Sequence, residues 1–129
     1  MKIVNESLNE YLYENYKETS WTKTINGKDK TISISDIEKY LKDAKVFEIP
    51  VKNIANISIL DKTNAKTKER SEKANLEYPI IISKGEDGKY KMILDGHHRL
   101  LKAINHNIKT VKAKILDLKS SPKIFKIFF

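Results

Sequence analysis

Ile93-Leu94-Asp95-Gly96-His97-His98-Arg99-Leu100-Leu101-Lys102-Ala103-Ile104 joins two periodicities that do not belong to one element. Up to Leu94 the apolar residues are contiguous, as in a buried strand, whereas Leu100, Leu101 and Ile104 recur at helical spacing. The stretch therefore reads as a strand that passes through a glycine turn into an amphipathic helix. The first amides of such a helix have no partner within it and point outward beside the positive end of the helix dipole. Gly96 permits a left-handed backbone angle or a close approach to the main chain, and Arg99 offers a flat fork of donors matched to phosphate oxygens. Together they predict an anion cradle.

Working outward, Tyr90-Lys91-Met92-Ile93-Leu94 pairs antiparallel with the buried strand Pro79-Ile80-Ile81-Ile82-Ser83 across the turn Gly85-Glu86-Asp87-Gly88. The helix after Asp95 ends near Asn105-His106-Asn107 and is expected to bury Leu100, Leu101, Ile104 and Ile108. Val111 to Leu118 then alternates as a half-buried strand, and Ser121-Pro122 opens a short last helix bearing Ile124, Phe125, Ile127 and Phe128, either core or the interface of a homodimer. Upstream, Val46 to Val51 is extended, with Pro50 confining it to a sheet edge or a strand end. Asp61 to Glu77 is highly charged, and Ala65, Glu69, Arg70, Lys73, Ala74 and Leu76 fit a polar helix with a solvated face.

Nearer the N-terminus, Asn26-Gly27 between Trp21-Thr22-Lys23-Thr24-Ile25 and Lys28-Asp29-Lys30-Thr31-Ile32 predicts a hairpin with Trp21 opposite Ile32. Ser35 with Glu38 predicts the cap of a helix carrying Ile37, Tyr40 and Leu41. Val4, Leu8, Tyr11, Leu12 and Tyr16 mark an N-terminal helix, with Ser7 and Glu10 as its capping box. These elements define an α+β protein. Residues 1–45 form an extension of helix, hairpin and helix, and 46–129 a core domain.

The 129 residues fit one modest domain without a Pro, Gly or Ser-rich linker. The absence of cysteine excludes disulfides, thiolate zinc sites and cysteine nucleophiles. No apolar run reaches the roughly 18 residues of a membrane span, and the first residues do not open a secretory signal, so a soluble protein of the cytoplasm is expected. The net charge of +8 is unevenly placed: from Arg99 onward Lys102, Lys109, Lys112, Lys114, Lys119, Lys123 and Lys126 face Asp117 alone. That cationic third would attract nucleotides or DNA. A lysine-rich composition from an AT-rich genome gives the same count.

Around the turn, Asp95 suits either a magnesium ion on bound phosphates or a cap on the helix. His97 and His98 diverge by about 100° on a helix and make a poor metal pair, so one faces the phosphates as donor or acid and the other bonds a neighbouring carbonyl. Lys102, one turn beyond His98, is a phosphate contact or an exposed lysine. Arg70 reaches over the same pocket or is solvated. His106 complements the dipole at the helix end.

Asp95-Gly96-His97-His98-Arg99 with Lys102-Ala103, preceded in order by the Pro50 segment, the Pro79 strand and the Gly88 turn, resembles the superfamily of the ParB N-terminal domain and sulfiredoxin over roughly Val46 to Leu118. The whole chain is also similar to short ParB-like proteins carried by bacteriophages. The resemblance implies a small mixed sheet with flanking helices that binds a nucleoside triphosphate, with magnesium, through Gly96, His97, His98, Arg99, Lys102 and Arg70. It makes His98, which matches the family's His-Arg pair, the leading catalytic residue beside Asp95 and His97. The implied activity is triphosphate hydrolysis or phosphoryl transfer.

Departures narrow it. Sulfiredoxins carry a cysteine where this chain has His97, so thiol chemistry is excluded. Partition proteins add a downstream arginine motif and a helix-turn-helix domain; no arginine follows Arg99, and a complete DNA clamp is not expected. Free serine kinases share the Asp-Gly-His-His-Arg wording but use an acid after the Ile-Pro strand, where this chain has Asn53, Ile54, Ala55, Asn56, Ile57 and Ser58. Glu48 or Asp61 would have to substitute. The alternatives are a non-enzymatic DNA- or protein-binding module and a ParB-like nuclease.

Overall fold

The computed structural model describes residues 19–58 and 64–129, and the chain divides into two compact units, Met1–Lys39 and Tyr40–Phe129. The expected helix from Val4 to Tyr16, and Asp61, lie outside the described residues. The protein is α+β with two sheets.

In the first unit, β1 (Ser20–Ile25) and β2 (Lys28–Ser33) form the expected hairpin, with Trp21 paired to Ile32. Asn26 and Gly27 have φ of 54° and 76°, the left-handed pair that matches a two-residue turn to strand twist. Helix α1 (Ile34–Tyr40) follows β2 without a loop. Its cap is not Ser35 with Glu38. Ser33 Oγ accepts from the Asp36 amide at 3.3 Å, and the Asp36 carboxylate accepts from the Ser33 amide at 2.9 Å. Both serines satisfy the capping pattern, and the earlier prevails because the strand ladder ends at Ser33 and the helix must start there. The Ser33 amide and hydroxyl hold the Asp36 carboxyl below its ordinary pKa.

The second unit is built on a mixed sheet of order β3-β6-β4-β5, from β3 (Phe47–Pro50), β4 (Ile80–Lys84), β5 (Tyr90–Asp95) and β6 (Thr110–Asp117). β4 runs parallel to β6; the β3–β6 and β4–β5 pairs are antiparallel. Pro50 lies on the edge strand β3, where a missing donor is tolerated. Two short 3-10 turns, Val51–Asn53 and Ala55–Ile57, follow it. The helices are α2 (Ala65–Lys73), α3 (His97–Asn105) and α4 (Lys123–Phe128).

One face of the sheet, with Ile80, Ile82, Ile93, Val111 and Ala113, packs on Leu100 and Ala103 of α3, on Val51 of the first 3-10 turn and on Ile54 between the two turns. Each large side chain so buried contributes roughly 1.5–3 kcal/mol, which fixes α3 and therefore the turn before it. The pleat sends Ile81, Leu116 and Leu118 to the opposite face, where they are buried too. Tyr40 and Phe125 of α4 meet ring to ring at 5.2 Å.

Two helix limits differ from expectation. α2 begins after Asn64, whose side chain accepts from the Lys66 and Thr67 amides, and it stops at Lys73, so Ala74 and Leu76 are not helical. α3 ends in a Schellman motif: Asn107 is left-handed at φ 55°, its amide bonds the Ile104 carbonyl, and the Ile108 amide bonds that of Ala103. That reversal carries Ile108 off the buried face, leaving it 39% exposed rather than buried.

Candidate phosphate site at the Gly96 turn

The strand-to-helix junction sits on β5, an edge of the sheet, where the β4–β5 register slips between Ile81 and Ile82 and brings Asp95 opposite Ile81. Gly96 then takes φ 96° and ψ 25° as the N-cap of α3 and, having no side chain, makes no cap bond to the first amides of the helix. A Cβ at Gly96 would stand 2.6 Å from Ile80 Cγ2 and 3.0 Å from Arg99 Nη1. Only glycine meets both the angle and the space. Asp95 is not the cap; its Oδ2 lies 3.8 Å from Arg99 Nη1.

Arg99 folds back over this glycine. Its Nη1 donates to the Pro79 carbonyl at 2.9 Å, its guanidinium carbon stands 5.9 Å from the Tyr78 ring centroid, and 24% of its side chain is exposed. One bond to a carbonyl uses one of five donors, so the fork is oriented with capacity to spare. No sequence pattern links Tyr78 to a residue 21 positions on; the bond from Arg99 to the Pro79 carbonyl brings them together.

The two histidines fan away from each other, as adjacent positions at a helix start must. His97 lies half-buried beside the Ile93 carbonyl, its Nδ1 buried with no hydrogen-bond partner among the described residues. Burial lowers its pKa, against the opposing pull of Asp95. His98 turns to α2. There Ser71, fully buried, gives its hydroxyl proton to the Thr67 carbonyl at 2.8 Å and so can only accept from His98 Nδ1 at 3.3 Å. With that hydroxyl proton committed, the arrangement favours the tautomer with its proton on Nδ1, and the Thr67 carbonyl is a further acceptor for the ring. Burial lowers this pKa as well, and the charge of Arg70 lowers it further.

His98 opens a polar seam between α3 and α2. Four residues on, Lys102 Nζ donates to the Ala74 carbonyl at 2.9 Å; four more on, His106 Nε2 meets the Glu72 carboxylate at 2.7 Å. Lys102 is thus a cap on the C-terminal end of α2, and Arg70 stands beside His98. Of the remaining C-terminal lysines, Lys112 bonds Glu77 and Lys114 Nζ bonds the Leu41 and Lys42 carbonyls, so part of the cationic third is engaged internally.

Asp95 is a partly exposed carboxylate, and no group of three or more His, Cys, Asp or Glu side chains among the described residues could hold a metal. Glu48 cannot serve as base here. It sits on β3, the sheet edge opposite β5 and three strand spacings away, on the order of 14 Å at ~4.8 Å each, and accepts from Thr110. A groove of about 660 Å³ beside the C-terminal end of α3, floored by Val51, Ala103 and Ile104, contains none of the residues expected at the site. No protein-family model, curated protein or solved structure matches the chain.

Proposed function

We propose that this chain is a ParB/sulfiredoxin-like domain that binds a nucleoside triphosphate at Asp95, Gly96 and Arg99 and carries out phosphate chemistry there, by hydrolysis or phosphoryl transfer. The observation that carries this reading is the convergence, on one left-handed glycine, of an uncapped helix start and an arginine fork held by a backbone carbonyl. Amides and guanidinium would share the phosphate charge. Magnesium bound with the nucleotide would take Asp95 and screen the same charge. An anion on Arg99 and a cation on Asp95 replace one loose ion pair by two. His98, neutral near pH 7 and with Nε2 unprotonated, is the residue to accept a proton from the attacking water or hydroxyl. The mixed sheet, with its edge strand running through glycine into a helix, supports the fold assignment.

Calorimetric titration with ATP, CTP, GTP and ADP in magnesium tests it. A charge-assisted contact contributes about 1.5–3 kcal/mol, so Arg99→Ala should weaken binding about ten- to hundredfold, while His98→Ala should bind normally and lose turnover. No binding to the wild type, or equal binding by Arg99→Ala, would remove the reading. Binding without wild-type turnover would leave a non-enzymatic module, the alternative that the engaged lysines make less suited to DNA.

A further inference from the structure

We infer that Tyr78 is the stacking surface for the base of the nucleotide whose phosphates lie at Gly96 and Arg99. The inference rests on the proposed phosphate site and names the part of the ligand that this site alone would not distinguish from inorganic polyphosphate. Tyr78 is a large aromatic residue left 63% exposed, next to the one arginine of the turn. Its position is built on both sides. Its amide closes a turn onto the Asn75 carbonyl at 3.2 Å, inside which the Asn75 side chain accepts from the Glu77 amide at 2.9 Å. Glu77 is held in turn by Lys112 at 2.9 Å, and the following Pro79 carbonyl by Arg99.

Proline after it also biases the Tyr78 backbone toward extended angles, which limits the paths along which the residue can be presented. The guanidinium stands over the ring at 5.9 Å, which joins a cation for phosphate to a π-surface for a base within one nucleotide's reach. A flat aromatic face accepts any base, and stacking on one is sequence-tolerant. Selection among bases at this residue therefore follows stacking strength, not a hydrogen-bond code.

The test is calorimetry with ATP, GTP, CTP and UTP against inorganic tripolyphosphate, all in magnesium, on the wild type, Tyr78→Ala and Tyr78→Phe. The wild type should bind its best nucleotide more tightly than tripolyphosphate. Tyr78→Ala should lose about five- to a hundredfold for that nucleotide with tripolyphosphate unchanged, and Tyr78→Phe should retain both. Nucleotide affinity unchanged in Tyr78→Ala overturns the inference. So does an equal loss for nucleotide and tripolyphosphate, which would make the ring a mere support for Arg99. In both cases the phosphate site stands; binding of neither ligand by the wild type overturns the site as well.

Discussion

Gly96 and Gly88 share nearly the same backbone angle, φ 96° and 84°, yet differ in what surrounds them. Nothing stands within 4 Å of a Cβ at Gly88, while at Gly96 Ile80 and Arg99 already occupy the space. Alanine at Gly88 therefore meets backbone strain alone, about 1 kcal/mol, whereas Gly96→Ala adds a clash with a buried isoleucine and should destabilise by about 2–3 kcal/mol. Urea denaturation of the two variants measures the difference. Equal losses would show that Ile80 gives way freely and that the close packing under the turn is dispensable. The same substitution presses on Arg99 Nη1, so, if the proposed phosphate site is right, Gly96→Ala should also weaken phosphate binding.

At the scale of elements, the parts written in apolar residues and turn residues were legible: the Asn26-Gly27 hairpin and its register, the β4–β5 pair, the glycine before α3 and the edge position of Pro50. The α2–α3 contact was not. Its members, Ser71, Glu72, Ala74, His98, Lys102 and His106, are polar or small, so neither helix carries an apolar stripe that announces the other, and α2 read as a solvated face. The bond of Lys102 was illegible for the same reason, since its partner is a backbone carbonyl that no sequence pattern marks. At the start of α1 two serine patterns overlap, and the end of β2 at Ser33 decides between them.

The seam and the turn also set a pH dependence. His97 and His98 are lowered in the folded chain, first by burial, and ordinary in the unfolded one. Above about pH 7.5 neither state is protonated there and the two contribute no slope. As pH falls through about 6.5 the unfolded chain takes up protons that the folded chain refuses, so stability declines by at most about 1.4 kcal/mol per pH unit for each group, and levels off below the folded values. Urea midpoints between pH 5.5 and 7.5 should fall on acidification, and His98→Gln should flatten that fall. A midpoint that rises on acidification, or a slope untouched in the variant, contradicts this account.

Over the whole molecule, adhesion is unequal. The central strand β4 of the second unit's sheet is buried on both faces, and α3 is fastened to the sheet by Leu100 and Ala103, but α2 buries Ser71 alone and holds to α3 by hydrogen bonds that water can replace. Detaching α2 forfeits little apolar contact, so its free energy of opening should lie well below that of global unfolding. In native-state hydrogen exchange, amides of residues 69–73 should then trade deuterium long before those of β4 and β6; equal protection would refute this. Each such excursion strips Ser71 from His98 Nδ1. Should α2 open in this way, the imidazole would lose the acceptor that holds its Nδ1 proton, and the seat of that proton would depend on how often a lightly packed helix lets go.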